Sequence, residues 1–297
     1  MQKVLVIVGP TAVGKTAFSV QTAQKFDGEI ISGDSVQIYR SFDIGSGKIK
    51  PNEMQGVPHY LIDKLDYHED YNVANFQSDA RRLIDEISER HHLPMIVGGT
   101  GLYIKAALYD YVFNNEQETD NQYEDLSNED IYQKLLAVDP KCLEKIHVNN
   151  RRRLVRALNV YEKNQKGISE IKDEQKHEML YDAKIIGLTC ERERLYQRIN
   201  QRVDQMFSEG LIKEINDLIK MGVTFADKPM SAIGYRQFEP LVKGECGVEE
   251  VSDNIKRDTR HFAKRQYTWF NHQTPIEWFD IDELDKALVA IKEWLDE

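Results

Sequence analysis

The chain has 297 residues, 41% of them hydrophobic, which is enough for one large or two modest domains with a buried core. Its net charge of −11 argues against a general nucleic-acid coat protein, because an acidic surface repels phosphates unless its basic residues are clustered. The three cysteines are too few and too widely spaced to suggest a disulfide framework or a zinc site. The apolar run at residues 4–8 is too short to span a bilayer and lacks the flanks of a signal peptide, so we expect a cytoplasmic protein without membrane contact.

The first hundred residues alternate short apolar runs with amphipathic segments. The runs "KVLVIVG", "EIISGD" and "PMIVGG" predict three strands, and helical patterns end near Phe26 and extend over about residues 72–92. This alternation is typical of parallel strands joined by crossover helices.

The middle of the chain, from about Asn114 to Asp182, is polar and helical in pattern and shows no convincing strand. After it, residues 183–190 return to a buried-strand pattern, a long helix begins at Arg192, and residues 275–281 predict a last strand. The predicted fold class is therefore α/β, with a P-loop NTPase-like core and an all-helical insertion. The predicted domains are a core of residues 1–113 and 183–297 with a parallel sheet, and a helical insertion domain of residues 114–182.

The stretch "GPTAVGKT" follows a predicted strand and opens a predicted helix, which is the context that the Walker A pattern requires. Backbone N–H groups of such a loop and the positive end of the helix dipole converge on phosphate oxygens, and Lys15 adds a positive charge. The Thr16 hydroxyl is placed to bind Mg²⁺, which we predict as the cofactor. Such loops usually hold ATP or GTP, although the pattern does not say which phosphates are bound here. The predicted phosphate site consists of Gly9, Pro10, Thr11, Ala12, Val13, Gly14, Lys15 and Thr16.

An acid stands in an unusual place for a P-loop protein. A conventional P-loop NTPase has an Asp at the end of a neighbouring strand, yet residues 94–97 are followed by two glycines. Asp34 instead follows the strand after the first crossover, at the carboxyl edge of the sheet where α/β proteins bind ligands. A carboxylate there can accept a proton from a nucleophile that attacks beside the phosphates. Gln37 offers both a donor and an acceptor to the edge of a base.

Five motifs in order resemble the tRNA dimethylallyltransferases, also called tRNA isopentenyltransferases, of the bacterial type: "GPTAVGKT", "ISGDSVQIYRSFDIGSGK", "VGGTGLYIKA", "RRRLVRALNVYE" and "SAIGYRQF". The resemblance covers most of the chain. It implies transfer of the dimethylallyl group from dimethylallyl diphosphate to the exocyclic amine (N6) of the adenosine 3′-adjacent to the anticodon in tRNA, with release of diphosphate. It also implies that Asp34 is the base for this amine and that residues Asp34, Ser35, Val36 and Gln37 contact the tRNA.

Further roles follow from the same resemblance. Thr100 matches a position beside the diphosphate, where its hydroxyl donates to a phosphate oxygen. Arg194, Arg198 and Arg202 recur every four residues on one predicted helix, and one of them should stabilise the departing diphosphate. The motif position favours Arg202. The remaining tRNA contacts implied by the motifs are Arg152, Arg153, Arg156, Ser231 and Arg236.

The chain departs from the family pattern at three places. The family's "DIGTAKP" is "DIGSGKIKP" here, its "HPND" is "HVNN", and its Glu after "RAL" is Asn159. Asp34, Lys15 and Thr100 are unaffected, so the departures concern tRNA contacts. The zinc finger of some eukaryotic members has no counterpart, which fits a bacterial-type member.

Basic residues cluster near the C-terminus as well. On a helix, Lys256, Arg260 and Lys264 form one stripe and Arg257, His261 and Arg265 form the next, with Phe262, Tyr267 and Trp269 nearby. This pattern predicts a strip that faces phosphates.

Three other functions remain open from the sequence. In a P-loop small-molecule kinase Asp34 would deprotonate a hydroxyl, but the missing acid after residues 94–97 and the Arg-rich insertion weigh against it. An adenine-nucleotide prenyltransferase would not need the large helical insertion or the basic segments. A nucleotide-sensing module without catalysis would leave Asp34 and Thr100 without a purpose. We expect a monomer that acts on the anticodon stem-loop of tRNA.

Overall fold

A computed structural model of the chain describes residues 1–111, 113, 123–174, 178–273 and 275–297. Six parallel strands form one sheet in the order β3-β2-β4-β1-β5-β6. Five of them were expected from the sequence, and the sixth, β3, was missed because a strand of two residues has no detectable periodicity. The strands are β1 (Lys3–Val8), β2 (Gly28–Ser32), β3 (His59–Tyr60), β4 (Leu93–Gly98), β5 (Asp182–Thr189) and β6 (Glu277–Asp280).

Helices connect and cover the strands. The predicted helices near Phe26, over residues 72–92 and from Arg192 are confirmed as α1, α2 and α7. In the described ranges no helix is both long and apolar enough to cross a membrane. The helices are α1 (Lys15–Phe26), α2 (Val73–Glu89), α3 (Gly101–Leu108), α4 (Asn128–Val138), α5 (Arg151–Asn164), α6 (Ile168–Glu174), α7 (Arg192–Ser208), α8 (Leu211–Lys220), α9 (Glu239–Val242), α10 (Val248–Gln273) and α11 (Leu284–Asp296).

Backbone contacts divide the chain into two compact units. The first consists of Met1–Leu108 and Leu180–Glu297 and holds the sheet; the second is Tyr109–Met179 and holds α4, α5 and α6. The sequence-based limit of the insertion, residue 182, differs, because Asp182 is the first residue of β5. The role of the second unit in contacting tRNA stays a prediction.

The central strand β1 is sealed on both faces. Every residue from Val4 to Val8 is 0% exposed, which is expected of a parallel strand with helices on each side of the sheet. Side chains of α1, α7 and α11, among them Phe18, Ile199 and Ile291, belong to the same core as Leu5. The second unit has a separate core around Ile131, Leu135, Leu154 and Leu158.

The carboxyl ends of β2 and β4 touch through their backbones. The N–H of Gly33 donates to the carbonyl of Val97 at 2.8 Å, and a Cβ on Gly98 would overlap with the carbonyl group of Gly33. The two loops that carry Asp34 and Thr100 therefore leave the sheet from one point of close contact.

We predict that Gly98→Ala destabilises the protein by about 1–3 kcal/mol, because the added methyl group must push β2 and β4 apart. Gly247→Ala is the matched control: its Cβ meets no atom within 4 Å, so its effect should stay within about 0.5 kcal/mol. Urea unfolding of both variants measures the difference. Equal losses of stability would contradict the role given to the Gly33–Gly98 contact.

Candidate functional site

The predicted phosphate loop lies between β1 and α1 and has the backbone that such loops need. Gly9 and Gly14 have positive φ angles of 148° and 112°, and Ala12 also has a positive φ of 65°. A Cβ on Gly9 would lie 2.6 Å from the carbonyl oxygen of Leu188 on β5, so only glycine fits there. Gly14 precedes α1 without a side-chain cap, which leaves the first N–H groups of the helix for an anion.

Lys15 is half-buried, and its ammonium group donates to the carbonyl oxygens of Gly9 at 2.9 Å and Pro10 at 2.8 Å. Desolvation, together with the positive charge of Arg202, lowers the pKa of Lys15 to about 7, although Asp34 acts in the opposite direction. An anion bound in the loop would raise this pKa again, because a neighbouring negative charge favours the ammonium form. The loop is therefore electrostatically suited to an anion.

Asp34 lies two residues beyond the end of β2, held by its own turn. Its Oδ1 accepts hydrogen bonds from the N–H groups of Val36 at 2.8 Å and Gln37 at 3.3 Å. The other oxygen, Oδ2, accepts none from the described part of the chain. One carboxylate oxygen thus fixes the side chain, and the other can take a proton from a ligand.

The side-chain amide of Gln37 makes only long hydrogen bonds to the residues that the structure describes. Its Oε1 accepts from the Ser32 hydroxyl at 3.3 Å, and its Nε2 donates to the carbonyl oxygens of Ser46 at 3.5 Å and Gly47 at 3.4 Å. Bonds of this length are weak, so the amide can exchange them for a better partner.

The three arginines that recur every four residues on α7 have different partners. Arg198 Nε donates to the carbonyl of Ala12 at 2.8 Å and Arg202 Nη2 to that of Gly47 at 3.2 Å. Arg194, by contrast, forms an ion pair of 2.6 Å with Asp282. Desolvation also lowers the pKa of Arg202, against the influence of Asp34. Arg198 and Arg202 remain as candidates for the diphosphate.

A clamp formed by Glu214 and Tyr235 holds the loop that contacts Arg202. The Glu214 carboxylate accepts from the N–H groups of residues 43–45 at 2.6–3.2 Å. Tyr235 is 0% exposed; its hydroxyl donates to Glu214 at 2.9 Å and accepts from the N–H of Ser46 at 3.0 Å. A Cβ on Gly47 would overlap with the Arg202 guanidinium, so the clamped loop packs directly on this side chain.

These features surround one cavity of about 1540 Å³ within the first unit. Gly9, Pro10 and Val13 are buried behind its wall. Thr16 and Ser35 are exposed, and Asp34, Val36 and Thr100 are half-buried. The sequence-predicted residues that line the cavity are Thr11, Ala12, Gly14, Lys15, Thr16, Asp34, Ser35, Val36, Gln37, Thr100, Arg198, Arg202, Ser231, Arg236, Phe262 and Arg265.

The predicted C-terminal strip lies on α10 but is only partly available for phosphates. Lys256 forms an ion pair of 2.5 Å with Asp204, and Arg260 donates to Asn200 at 2.7 Å, both on α7. These two cations attach α10 to α7, contrary to the expectation that they face phosphates. Lys264 and Arg265 are exposed.

The arginines of α5 lie in the second unit. Arg152, Arg153 and Arg156 are exposed, and Asn150 caps the helix through the N–H of Arg153. Arg151 instead donates to the carbonyl of Leu126 at 2.8 Å and stabilises the unit itself. The three exposed residues stay candidates for RNA contact.

The sequence profile of the family described as IPP transferase matches residues 37–273. This span is well over half of the chain. The chain belongs to the IPP transferase family.

Relatives in this family match over nearly the whole length. The tRNA dimethylallyltransferase of Anoxybacillus flavithermus is 45% identical over 285 residues, which cover 95% of this chain and 91% of that protein. The tRNA dimethylallyltransferase of Macrococcus caseolyticus is 47% identical over 285 residues, which cover 94% and 91%.

Solved structures of IPP transferases are similar as well. The tRNA isopentenylpyrophosphate transferase of Staphylococcus epidermidis has a TM-score of 0.75 and 39% identity, covering 100% of this chain and 99% of that one. A eukaryotic dimethylallyltransferase acting on tRNA has a TM-score of 0.90 and 29% identity, covering 100% of this chain and 80% of that one.

Three residues of this IPP transferase were not predicted from its sequence: Glu214, Tyr235 and Gln266, the last of which lines the cavity from α10. Tyr235 belongs to the motif "SAIGYRQF" but was not singled out. Gln266 follows the buried Ala263 by three residues and precedes the buried Phe270 by four, so helical spacing could have indicated a buried amide. Glu214 gave no such indication, because the loop it holds is about 170 positions away in the chain.

The pKa of Lys15 predicts how stability depends on pH. It lies at about 7 in the folded protein and 10.5 in an unfolded chain, so between these values the unfolded chain binds the extra proton. Stability of the wild type should therefore rise with pH across this window. Lys15→Met removes the titrating ammonium group. The free energy of unfolding of this variant, relative to that of the wild type, should be highest below pH 7 and should fall toward pH 10.

Urea unfolding without ligands at pH 6, 7, 8 and 9 tests this expectation. Lys213→Met is the control, because Lys213 is exposed and paired with Asp217, and its difference from the wild type should not change over this range. A difference for Lys15→Met that is equally constant would show that Lys15 keeps an ordinary pKa.

Proposed function

We propose that this IPP transferase transfers the dimethylallyl group from dimethylallyl diphosphate to N6 of the adenosine 3′-adjacent to the anticodon in tRNA, and releases diphosphate. The observation that carries the proposal is the cavity in which a phosphate loop, two arginines and the carboxylate of Asp34 meet. The names of the relatives support the same reaction. A small-molecule kinase is not favoured.

The phosphate loop and its neighbours suit the diphosphate. Backbone N–H groups at the start of α1 are placed to bind an anion, and Lys15 and Arg202 supply positive charges whose desolvation an anion would offset. The Thr100 hydroxyl makes no hydrogen bond to any residue that the structure describes. It is therefore available to donate to a phosphate oxygen.

The reaction is a displacement at the first carbon of the allyl group. The N6 amine forms a bond to this carbon while the bond from the carbon to the diphosphate oxygen breaks, and the electron pair leaves with the diphosphate. The proton of the amine passes to Oδ2 of Asp34, the oxygen that the turn leaves without a partner. Arg202, Lys15 and Thr100 stabilise the negative charge that develops on the leaving group.

The adenosine enters from the side of Ser35, Val36 and Gln37. A base in the anticodon loop must leave its stack to reach an enclosed reacting carbon, so we infer that the target base is flipped into the cavity. Gln37 then exchanges its long hydrogen bonds for the edge of the adenine. Ser231 and Arg236, on the wall of the same cavity, contact the RNA beside it.

We also propose Mg²⁺ as the metal. The described residues contain no group of three or more His, Cys, Asp or Glu that could hold a metal ion by themselves. The exposed hydroxyl of Thr16 lines the cavity, and one hydroxyl with diphosphate oxygens and water completes the ligands that Mg²⁺ prefers. When bound, Mg²⁺ neutralises part of the diphosphate charge.

Incubation with labelled dimethylallyl diphosphate and tRNA, followed by digestion to nucleosides, tests the function. The wild type should yield labelled N6-prenyladenosine. Asp34→Asn should bind tRNA within a few fold of the wild type but lower turnover by roughly a hundredfold or more, the usual effect of losing a positioned base. Normal turnover by Asp34→Asn would remove this residue from proton transfer, and ATP consumption without a prenylated product would favour the kinase.

RNA contact by α5 predicts a salt effect. If the whole protein neutralises about four to six phosphates, log affinity for tRNA should fall against log salt concentration with a slope on the order of −3 to −5. Replacing both Arg153 and Arg156 by Ala should flatten the slope and raise the KM for tRNA, leaving the KM for the diphosphate substrate nearly unchanged.

The control for this variant removes two exposed cations elsewhere. Lys213 and Lys220 on α8 both pair with Asp217, and their double replacement by Ala should keep the wild-type slope. Both KM values are measured at several salt concentrations. A wild-type slope in the Arg153 and Arg156 variant would show that this face of α5 is only solvated.

A further inference from the structure

Gln266 on α10 joins two loops of the cavity with a single side chain. Its Oε1 accepts from the backbone N–H of Thr11 in the phosphate loop at 2.9 Å, and its Nε2 donates to the carbonyl of Gly99 at 3.0 Å. The residue is only 5% exposed. Both ends of the amide are therefore used, one in each loop.

Side chains of α10 contact the second loop on both sides of Thr100. A Cβ on Gly99 would overlap with the amide of Gln266, and a Cβ on Gly101 would overlap with the ring of Trp269. Gln266 and Trp269 are three residues apart on α10 and thus lie on the same side of the helix. The glycines before and after Thr100 each rest on one of these side chains.

Helix α10 is itself fixed to the core. Lys256 and Arg260 attach it to α7, and the hydroxyls of Tyr267 and Thr189 share a hydrogen bond of 2.9 Å at the end of β5. The position of the Gln266 amide is consequently set by the sheet and by the helix that carries Arg198 and Arg202.

We propose that Gln266 is a positioning residue that sets the distance between the phosphate loop and Thr100. Gln266 does not touch the reacting atoms; it acts by holding Thr100 where the hydroxyl can donate to the leaving diphosphate. This inference therefore rests on the proposed function. The position needs an amide, because one end must accept and the other must donate. An ionised carboxylate would place a second acceptor against the Gly99 carbonyl, and a thioether cannot donate to this carbonyl and accepts only weakly.

A double-mutant cycle with Thr100→Val tests the proposal. Gln266→Met should lower kcat/KM for dimethylallyl diphosphate by roughly tenfold to a hundredfold, the scale of a small misplacement, and leave the KM for tRNA within about twofold. In the Thr100→Val background, Gln266→Met should lower kcat/KM for dimethylallyl diphosphate by less than about threefold, because the valine has no hydroxyl to position.

Gln237→Met is the matched control. Gln237 is also a buried amide, bound to the N–H of Gly234 and to Asp258 but to neither of these two loops, so its effect should be additive with Thr100→Val. Additive effects of Gln266→Met and Thr100→Val would overturn the proposal.

Gln266→Glu gives an independent test and replaces Gln266→Met in the cycle if that variant does not fold. Its carboxyl can donate to Gly99 only when protonated, so its activity relative to the wild type should recover as pH falls from 8 to 6. A constant ratio would contradict the proposal. If the wild type is active but the double-mutant cycle is additive, only the role of Gln266 is contradicted. If the wild type forms no labelled prenyladenosine, the proposed function and this inference are contradicted together.

Discussion

The main constraint on this structure is that two desolvated positive charges, those of Lys15 and Arg202, lie in one cavity. Desolvation lowers the pKa values of both Lys15 and Arg202, and the charge of Arg202 adds to the effect on Lys15. Backbone carbonyl groups compensate in part: those of Gly9 and Pro10 accept from Lys15, and that of Gly47 accepts from Arg202. The carbonyl groups that bind Lys15 and Arg202 must therefore be held in position by the rest of the structure. The clamp on residues 43–46, the glycine turns of the phosphate loop and the attachment of α7 to α10 all serve this purpose.

This constraint also explains how a largely acidic protein can favour an anion at one point. In the proposed reaction, the diphosphate relieves the repulsion between the two cations, and the groups proposed to bind it are already oriented when charge develops on the leaving oxygen. Asp34 lines the same cavity, where its negative charge acts against the lowering of the pKa of Lys15 and of Arg202. The turn after β2 fixes one oxygen of Asp34, and the other is the oxygen that accepts the proton of the amine in the proposed reaction. The proposed anion binding and proton transfer thus use different loops of one sheet edge.

Local patterns predicted much of this arrangement, and contacts between distant segments explain the rest. Five strands, the phosphate loop and Asp34 could be found because periodicity and turn residues are properties of short stretches. The pairing of Glu214 with residues 43–45 joins distant positions and leaves no local trace. Helical spacing grouped Lys256 with Lys264, but it could not tell that Lys256 faces Asp204 on α7. The ion pair between Arg194 and Asp282, which follows the last strand, likewise could not be predicted from helical spacing.

The uneven lengths of the strands have a consequence for aggregation. The run Val4–Val8 combines high β-propensity with no charge and no proline, which is the composition of segments that stack into amyloid when they are exposed. It lies on β1, with β4 paired on one side and β5 on the other, so its backbone groups are not open to a second chain. The outer positions of the sheet belong to β3 and β6, with two and four residues, and edges this short offer little template for intermolecular pairing. Residues 4–8 therefore become available for pairing with another chain only when β1 separates from β4 or β5.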